Sequence, residues 1–208
     1  MHAPDIAFAT SQLARHLQSP GPEHLHAVKH CFQYLKTTRD YWLVLGGKAK
    51  EELTGYSDAD GMMQEGNKAI SGYTFFFGNA LVSWSSKRQT LVALSVYEAE
   101  LQALAHATQE AIALNHLASE LLQSSEDPVM IYCDNLGVIQ SMTNKEIKHL
   151  KLTKHINLKK SFIRCYVKNK TIDLKHIPTK DQRANILTKA LQAPQVKHLT
   201  SLLRLMRV

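Results

Sequence analysis

The sequence predicts an α/β fold, a mixed sheet with helices on both faces, and three observations carry that prediction. Three stretches with strand alternation, Leu53–Asp60, Ile70–Phe77 and residues 81–84, follow one another around the turn pair Gly78-Asn79. A long helical pattern opens at Ser95, with Glu98 three residues later completing a capping-box arrangement, and runs toward Pro128. Beyond it, Val129–Cys133 is a continuous apolar run ending at Asp134, as a strand buried on both faces would read.

The elements before this core are helical. Ile6, Ala9, Leu13, Ala14 and Leu17 recur at helical spacing over residues 5–17. Pro20-Gly21-Pro22 breaks the pattern, and Leu25, Val28, Phe32 and Leu35 resume it. A short strand over 41–45 and a Gly46-Gly47 stop come next, with a lysine-rich linker around Lys48 and Lys50. Residues 1–50 are therefore read as an appendage packed on the domain after them, being too few to make a good core alone.

After Asp134, Asn135 opens a short helix over 136–142. Residues 153–167 read as a basic amphipathic helix. Ile156, Ile163, Tyr166 and Val167 are its apolar side, and Lys154, Lys159, Lys160 and Arg164 its exposed side. A last strand spans 172–177 and ends at Pro178. A helix over 181–191 and a helical tail over 199–205 complete the chain.

Composition sets the frame. The 208 residues are 44% hydrophobic and 21% charged, in the range of an ordinary globular chain. No apolar run approaches the roughly 20 residues of a membrane span, and no signal-peptide pattern opens the chain. The expectation is an intracellular protein, in cytoplasm or nucleus, without a membrane partner. Cys31, Cys133 and Cys165 are far apart within apolar patterns and read as reduced core residues, with no zinc spacing. Eleven histidines are scattered, and His24-Leu25-His26 reads as a solvated helix face. The net charge of +7 arises from 25 basic and 18 acidic residues, with Lys and Arg concentrated over 145–175. That patch is either a nucleic-acid footprint or simply a solvated face.

Three carboxylates stand out. Asp58 is placed at the C-terminal tip of the first core strand, where it is either a turn residue or a metal ligand. Asp134 repeats the arrangement, with a helix cap as its bland reading. Glu98 has a capping role, whereas Glu100 shares a helix face with Ala103, Leu104, Ala107, Ala111 and Leu114. Glu98's own face, with Gln102, Gln109 and Ala113, is more polar. A bare carboxylate on the apolar stripe costs several kcal/mol unless protonated or partnered, and a cation would resolve the cost. The alternative is an exposed first-turn glutamate favoured by the helix dipole. The three acids converge if the strands carrying Asp58 and Asp134 are neighbours.

At this point the chain resembles a known family. The landmarks are Tyr56-Ser57-Asp58-Ala59-Asp60, Ser71-Gly72-Tyr73, Ser83-Trp84-Ser85-Ser86-Lys87, Val92-Ala93-Leu94-Ser95 leading to Glu98-Ala99-Glu100, Tyr132-Cys133-Asp134-Asn135, Thr153-Lys154-His155-Ile156 and Ile186-Leu187-Thr188-Lys189. In that order they are similar to the Pol polyprotein of a Ty1/copia-type retrotransposon. Residues 52–191 resemble its ribonuclease H domain, and residues 1–50 resemble the end of the preceding reverse transcriptase region. Residues 192–208 form a helical tail.

The resemblance implies a ribonuclease H-like fold with a five-stranded mixed sheet. It implies cleavage of the RNA strand of RNA–DNA hybrids with two Mg²⁺ ions, Mn²⁺ serving as a substitute, held by four carboxylates. Asp58, Glu100 and Asp134 match three of these. Lys154, His155, Lys159, Lys160 and Arg164 are the nucleic-acid-binding set, and contact with a reverse transcriptase or another host protein is a further expected partnership. The fourth carboxylate position departs from the family: the motif here is Ala184-Asn185-Ile186-Leu187-Thr188-Lys189, so Asn185 offers only a neutral oxygen. Val96-Tyr97 and Gly61-Met62 are further departures. Asp181, one helical turn before Asn185, is considered as a substitute. Asn185 implies a weakened nuclease, and the alternative is a coopted module that binds nucleic acid or protein without cutting.

Overall fold

The computed structural model describes residues 3–46, 52–60, 68–122, 127–143 and 154–207. Helix α1 (Ala7–Leu13) continues into a 3₁₀ turn (Ala14–His16) and is followed by α2 (Pro22–Thr37) and strand β1 (Tyr41–Leu43). Pro22 opens α2 where its missing N–H is harmless, and the Gly21 N–H donates to His24 Nδ1 at 2.8 Å. Ala7 of α1 is buried with Leu81 and Leu203. The α2 stripe is not covered in this way: Leu25 and Phe32 are 57% and 67% exposed, and no residue of α2 is buried. The linker lysines Lys48 and Lys50, and Gly47, lie outside the described residues.

Strands β2 (Leu53–Asp60), β3 (Ile70–Phe77) and β4 (Ala80–Arg88) form the expected antiparallel meander. Gly78 and Asn79 join β3 to β4 with φ of 53° and 69°, the positive-φ pair that a two-residue hairpin needs to match strand twist. β4 runs four residues beyond the expected 81–84, to Arg88, because Trp84 to Arg88 keep pairing with Ile70 to Thr74. Helix α3 (Val96–Leu122), strand β5 (Val129–Cys133), α4 (Leu136–Thr143), α5 (Lys154–Lys168) and β6 (Ile172–His176) come after it. The sheet order is β4-β3-β2-β5-β6, five strands, with β2, β5 and β6 parallel. This is the mixed α/β sheet of the ribonuclease H-like fold that the sequence predicts.

Period-two alternation splits the core between the two faces of the sheet. Phe75 and Ile131 pack under α3, α4 and α5 with Leu101, Leu104 and Ile163. Their neighbours Phe76 and Tyr132 face the other side, with Tyr56, Leu187, Leu199 and Leu203. Of the cysteines, Cys133 is buried as expected, whereas Cys165 is exposed on α5 and Cys31 is partly exposed. No helix among the described residues is long and apolar enough to cross a membrane.

The C-terminal segment differs from expectation in two places. Residues 181–191 do not form an α-helix but two 3₁₀ turns, Thr179–Asp181 and Arg183–Leu187. Gln182 separates them in an extended conformation. Its buried amide donates to the Ser57 carbonyl at 2.9 Å and accepts from the Ala184 N–H at 3.3 Å. A tertiary hydrogen bond to β2 thus outweighs local helix propensity. The tail forms helix α6 (Ala193–Leu202), and Arg204, at φ 61°, reverses the chain. Residues Leu205–Arg207 then form β7, antiparallel to β1, where a helix through Leu205 was expected.

Candidate active site

Strand adjacency brings the acids together. β2 and β5 are parallel neighbours with Tyr56 opposite Tyr132, so Asp58 and Asp134, each two residues further on, lie at the same level. Asp58 is not at the tip of its strand: β2 continues to Asp60, and Asp58 pairs with Gly72 of β3. It is β5 that stops, at Cys133, which opens the crevice beside Asp58. Glu100 arrives from the first turns of α3. As the capping pattern predicts, Ser95 Oγ accepts from the Glu98 N–H at 3.2 Å. Glu98 Oε2 accepts from Leu94 N at 2.9 Å, one residue earlier than the usual capping-box partner. Glu98 is therefore committed, and Glu100 is turned toward the sheet. The face carrying Glu98 is less exposed than its polarity suggests, because Gln102 is buried and accepts from Lys159 Nζ at 3.0 Å.

Ligand atoms of Glu100, Asp134 and Cys133 all lie within 4.8 Å of one another. Asn135, not Asp134, caps α4, its Oδ1 accepting from the Val138 N–H at 3.1 Å. Asp134 keeps one hydrogen bond, from Thr179 Oγ1 to Oδ2 at 2.8 Å. Asp58 is 1% exposed and stands outside that trio of ligand atoms. Its Oδ2 accepts a very short hydrogen bond from Thr188 Oγ1 and lies 3.7 Å from Lys189 Nζ. Gly72, opposite Asp58, lets the strap formed by residues 179–188 after β6 come this close: a Cβ there would lie 2.7 Å from Thr188 Cγ2 and 2.9 Å from Leu187 Cβ.

Asn185 is 5% exposed. Its Nδ2 donates to the Thr179 carbonyl at 2.7 Å, while its buried Oδ1 has no hydrogen-bond partner among the described residues. Asp181 belongs to the other 3₁₀ turn and is only partly buried, so the helical-turn relation to Asn185 does not exist. Gly61 and Met62 lie outside the described residues. Sequence reasoning did not assign roles to Thr179, Gln182, Cys133, Thr188 or Lys189 at this site. Thr188 and Lys189 were present only as part of a landmark motif.

On α5, Lys154 and His155 are exposed, Lys160 and Arg164 partly so. Lys159 is not on the open face: it reaches α3 through its bond to Gln102, and burial lowers its pKa. Thr153, where the helix was expected to begin, lies outside the described residues.

The electrostatics favour a cation. Burial pushes the Asp58 carboxyl up to about 6, against the pull of Lys189 and Thr188, while Asp134 and Asp60 add to the rise. Burial raises Glu100 well above the ordinary glutamate range, and the charges of Asp58 and Asp134 raise it further. Glu100 Oε2 is buried without a hydrogen-bond partner among the described residues. A buried carboxylate with an unpartnered oxygen, beside two more carboxylates, is a group that could hold a hard divalent ion. Burial also raises the Cys133 thiol, which keeps this nearby sulfur protonated and a poor ligand.

A pH dependence is expected for the metal-free protein. Asp58 has a folded pKa above its ordinary 3.8, so the native state holds more protons than the unfolded chain between about pH 4 and 6. Its contribution is therefore neutral below pH 4, and stability is lost as pH rises through 6, by of the order of 2–3 kcal/mol. Denaturant midpoints of the parent and Asp58→Asn, compared from pH 4 to 7 in chelator, should diverge in that window. A constant difference would contradict the assignment.

Several known proteins are similar to this chain in sequence or in fold. No family model matches the chain. It is 33% identical over 206 residues, 99% of its length, to a retrovirus-related Pol polyprotein from transposon RE1 of Arabidopsis thaliana. It is 36% identical over 189 residues, 90% of its length, to the corresponding polyprotein from transposon TNT 1-94 of Nicotiana tabacum. In each case it spans 14% of the relative. A third relative, the secreted RxLR effector protein 161 of Plasmopara viticola, is 42% identical over 110 residues, 52% of this chain and 78% of that protein. Among solved structures, an N-terminal RNase H domain from Mycobacterium tuberculosis aligns with TM-score 0.47 and 13% identity, over 73% of this chain and 98% of that one. LC11-RNase H1 in complex with RNA/DNA hybrid aligns with TM-score 0.47 and 19% identity, over 66% and 94%.

The strand order and the acids at the β2–β5 crevice define an α/β domain of the ribonuclease H-like class. Its homologues at 33–36% identity over most of the chain are Ty1/copia-type Pol polyproteins, of which it spans 14%.

Proposed function

We propose that the chain is a ribonuclease H-type endonuclease that cleaves the RNA strand of RNA–DNA hybrids, at a rate lowered by Asn185. The observation that carries this reading is the buried, unpartnered Oε2 of Glu100 beside Asp58 and Asp134. Divalent ions bound there would supply an activated water and stabilise the leaving oxygen of the phosphodiester. The protein's part is positioning. Glu100 and Asp134 present oxygens within 4.8 Å of each other, and Thr179 orients Asp134. Asp58 has its Oδ2 fixed by Thr188. Mg²⁺ is the natural occupant for all-oxygen ligation, and Mn²⁺ substitutes. The test is a hybrid labelled on either strand, incubated with Mg²⁺ or Mn²⁺: products from the RNA strand alone support the reading, and an intact RNA strand in both metals opposes it.

Hybrid binding is assigned to the exposed side of α5. Replacing Lys154, Lys160 and Arg164 by alanine should weaken binding of all sequences alike and flatten the salt slope by about 0.7–0.9 per lost phosphate contact. An unchanged slope would leave those residues as a solvated face.

A second reading is a coopted module that binds nucleic acid or a protein, such as a reverse transcriptase or another host protein, without cutting. Two observations favour it: the amide at position 185, and the similarity to a relative named as a secreted effector, of which this chain covers 78%. Hybrid binding with both strands left intact is its expected signature.

A further inference from the structure

We propose that Asn185 is a positioning residue that acts through Thr179: its amide fastens the turn whose hydroxyl orients Asp134 for the ion. The inference rests on the metal-dependent reading above and adds to it a role for the amide that stands at position 185.

Asp134 stands past the end of β5 and is only partly buried, so the strand itself does not fix its carboxylate. Asn135 takes the cap of α4, which leaves Asp134 one hydrogen bond among the described residues, from Thr179 Oγ1 at 2.8 Å. Thr179 is exposed and opens a 3₁₀ turn of 3 residues, so its hydroxyl is placed by whatever holds the backbone of that turn. The Thr179 carbonyl is the point of attachment. It accepts from Asn185 Nδ2 at 2.7 Å and from the Gln182 N–H at 3.3 Å.

The other end of this tie is buried. Asn185 is 5% exposed, its N–H donates to the Gln182 carbonyl at 3.2 Å, and its own carbonyl accepts from the Thr188 N–H at 3.2 Å. Gln182 is bonded to the Ser57 carbonyl of β2 and Thr188 to Asp58, and both residues are fully buried. Anchoring thus runs from the sheet through Asn185 to the Thr179 turn, and from there to Asp134. Chemistry fixes which way the amide points: turned over, it would set its oxygen against the Thr179 carbonyl oxygen at the same short distance. A carboxylate at 185 has no hydrogen to give there, whereas the amide keeps an acid's shape and holds the turn.

The test is Mn²⁺ affinity, by calorimetry and by the electron paramagnetic resonance of unbound Mn²⁺. It compares the parent, Thr179→Val, Thr179→Ser, Asn185→Ala and a variant carrying both Thr179→Val and Asn185→Ala. Thr179→Val keeps the shape and loses the hydroxyl, and it is expected to weaken Mn²⁺ binding about tenfold, the usual scale for losing a partner behind a metal ligand. In chelator it should melt with the parent, because Thr179 is exposed. Thr179→Ser should bind as the parent does. Asn185→Ala should also weaken binding, and the double variant should be no weaker than Thr179→Val, since both changes act on the one bond to Asp134. Parental affinity in Thr179→Val or in Asn185→Ala would overturn the proposal. Losses that multiply, to about a hundredfold in the double variant, would make Asn185 a ligand in its own right and overturn it equally. If Asn185→Ala does not fold, Asn185→Ser takes its place, and failure of both assigns Asn185 to the fold alone, which also overturns the role. If the parent binds Mn²⁺ and Asp58→Asn weakens that binding while Thr179→Val does not, the positioning role falls and the metal-dependent reading stands. No Mn²⁺ bound by the parent overturns both.

Discussion

Asp58→Asn should lower hybrid cleavage by about 10³-fold or more, because removing a charged metal ligand withdraws several kcal/mol from a metal-assisted transition state. The same change should leave the fold and hybrid binding nearly intact. Asparagine has almost the shape of aspartate, and its carbonyl can still accept from Thr188 Oγ1. The metal-free protein is a sharper witness. With its carboxyl pushed up to about 6, Asp58 is held ionised at neutral pH against burial, even with Lys189 alongside. A neutral side chain escapes that cost, so Asp58→Asn should be at least as stable as the parent in chelator at pH 7. It should also gain less from added Mg²⁺ or Mn²⁺, because the ions lose a ligand. Measured together, cleavage, hybrid affinity and the melting temperature with and without metal separate a ligand from a structural acid. Parental cleavage by Asp58→Asn would move the chemistry away from this crevice.

Much of this site can be read in the sequence because its determinants are local. The apolar run Val129–Cys133 announces a central strand, and the Ser95–Glu98 pair fixes the phase of α3, which decides that Glu100 faces the sheet. Strand alternation places Phe75 and Phe76 on opposite faces, and β2 and β3 have their expected limits. What local pattern cannot show is the strap. Residues 181–191 read as a helix, but Gln182 is captured by the Ser57 carbonyl, far away in sequence, and 3₁₀ turns form on either side of it. Lys189 and Thr188 reach Asp58 from this irregular segment, which a local pattern does not reveal. The pairing of Leu205–Arg207 with Tyr41–Leu43 is hidden for the same reason: each stretch alone is too short to declare itself a strand. Lys159 shows the limit of a helical wheel, which places it among exposed lysines although Gln102 on α3 draws it inward.

Asn185→Asp should raise Mg²⁺-dependent cleavage by about tenfold or more, by restoring charge on the side of the site that lacks it. The gain should be seen in rate rather than in hybrid affinity, since an acid at position 185 would act on the ions rather than on the nucleic acid. The structure adds a cost to this exchange. Asn185 Nδ2 donates to the Thr179 carbonyl at 2.7 Å, and a carboxylate oxygen there would face a carbonyl oxygen instead. In chelator the variant should therefore lose about 1–3 kcal/mol of stability, the usual penalty for unpairing a buried polar group. Thr179 also holds Asp134, so its displacement would be felt across the site. Divalent metal should return the lost stability, because an ion takes the place of the vanished donor. For the parent, Mn²⁺ should support faster cleavage than Mg²⁺, since it binds a given site more tightly, and the advantage should shrink in Asn185→Asp. Lower stability in chelator together with faster cleavage in Mg²⁺ would identify an impaired ribonuclease. Binding of hybrid without cleavage by either protein would favour the coopted module. Full cleavage by the parent, unchanged by Asn185→Asp and lost in Asp58→Asn, would show that three carboxylates suffice and that the amide impairs nothing.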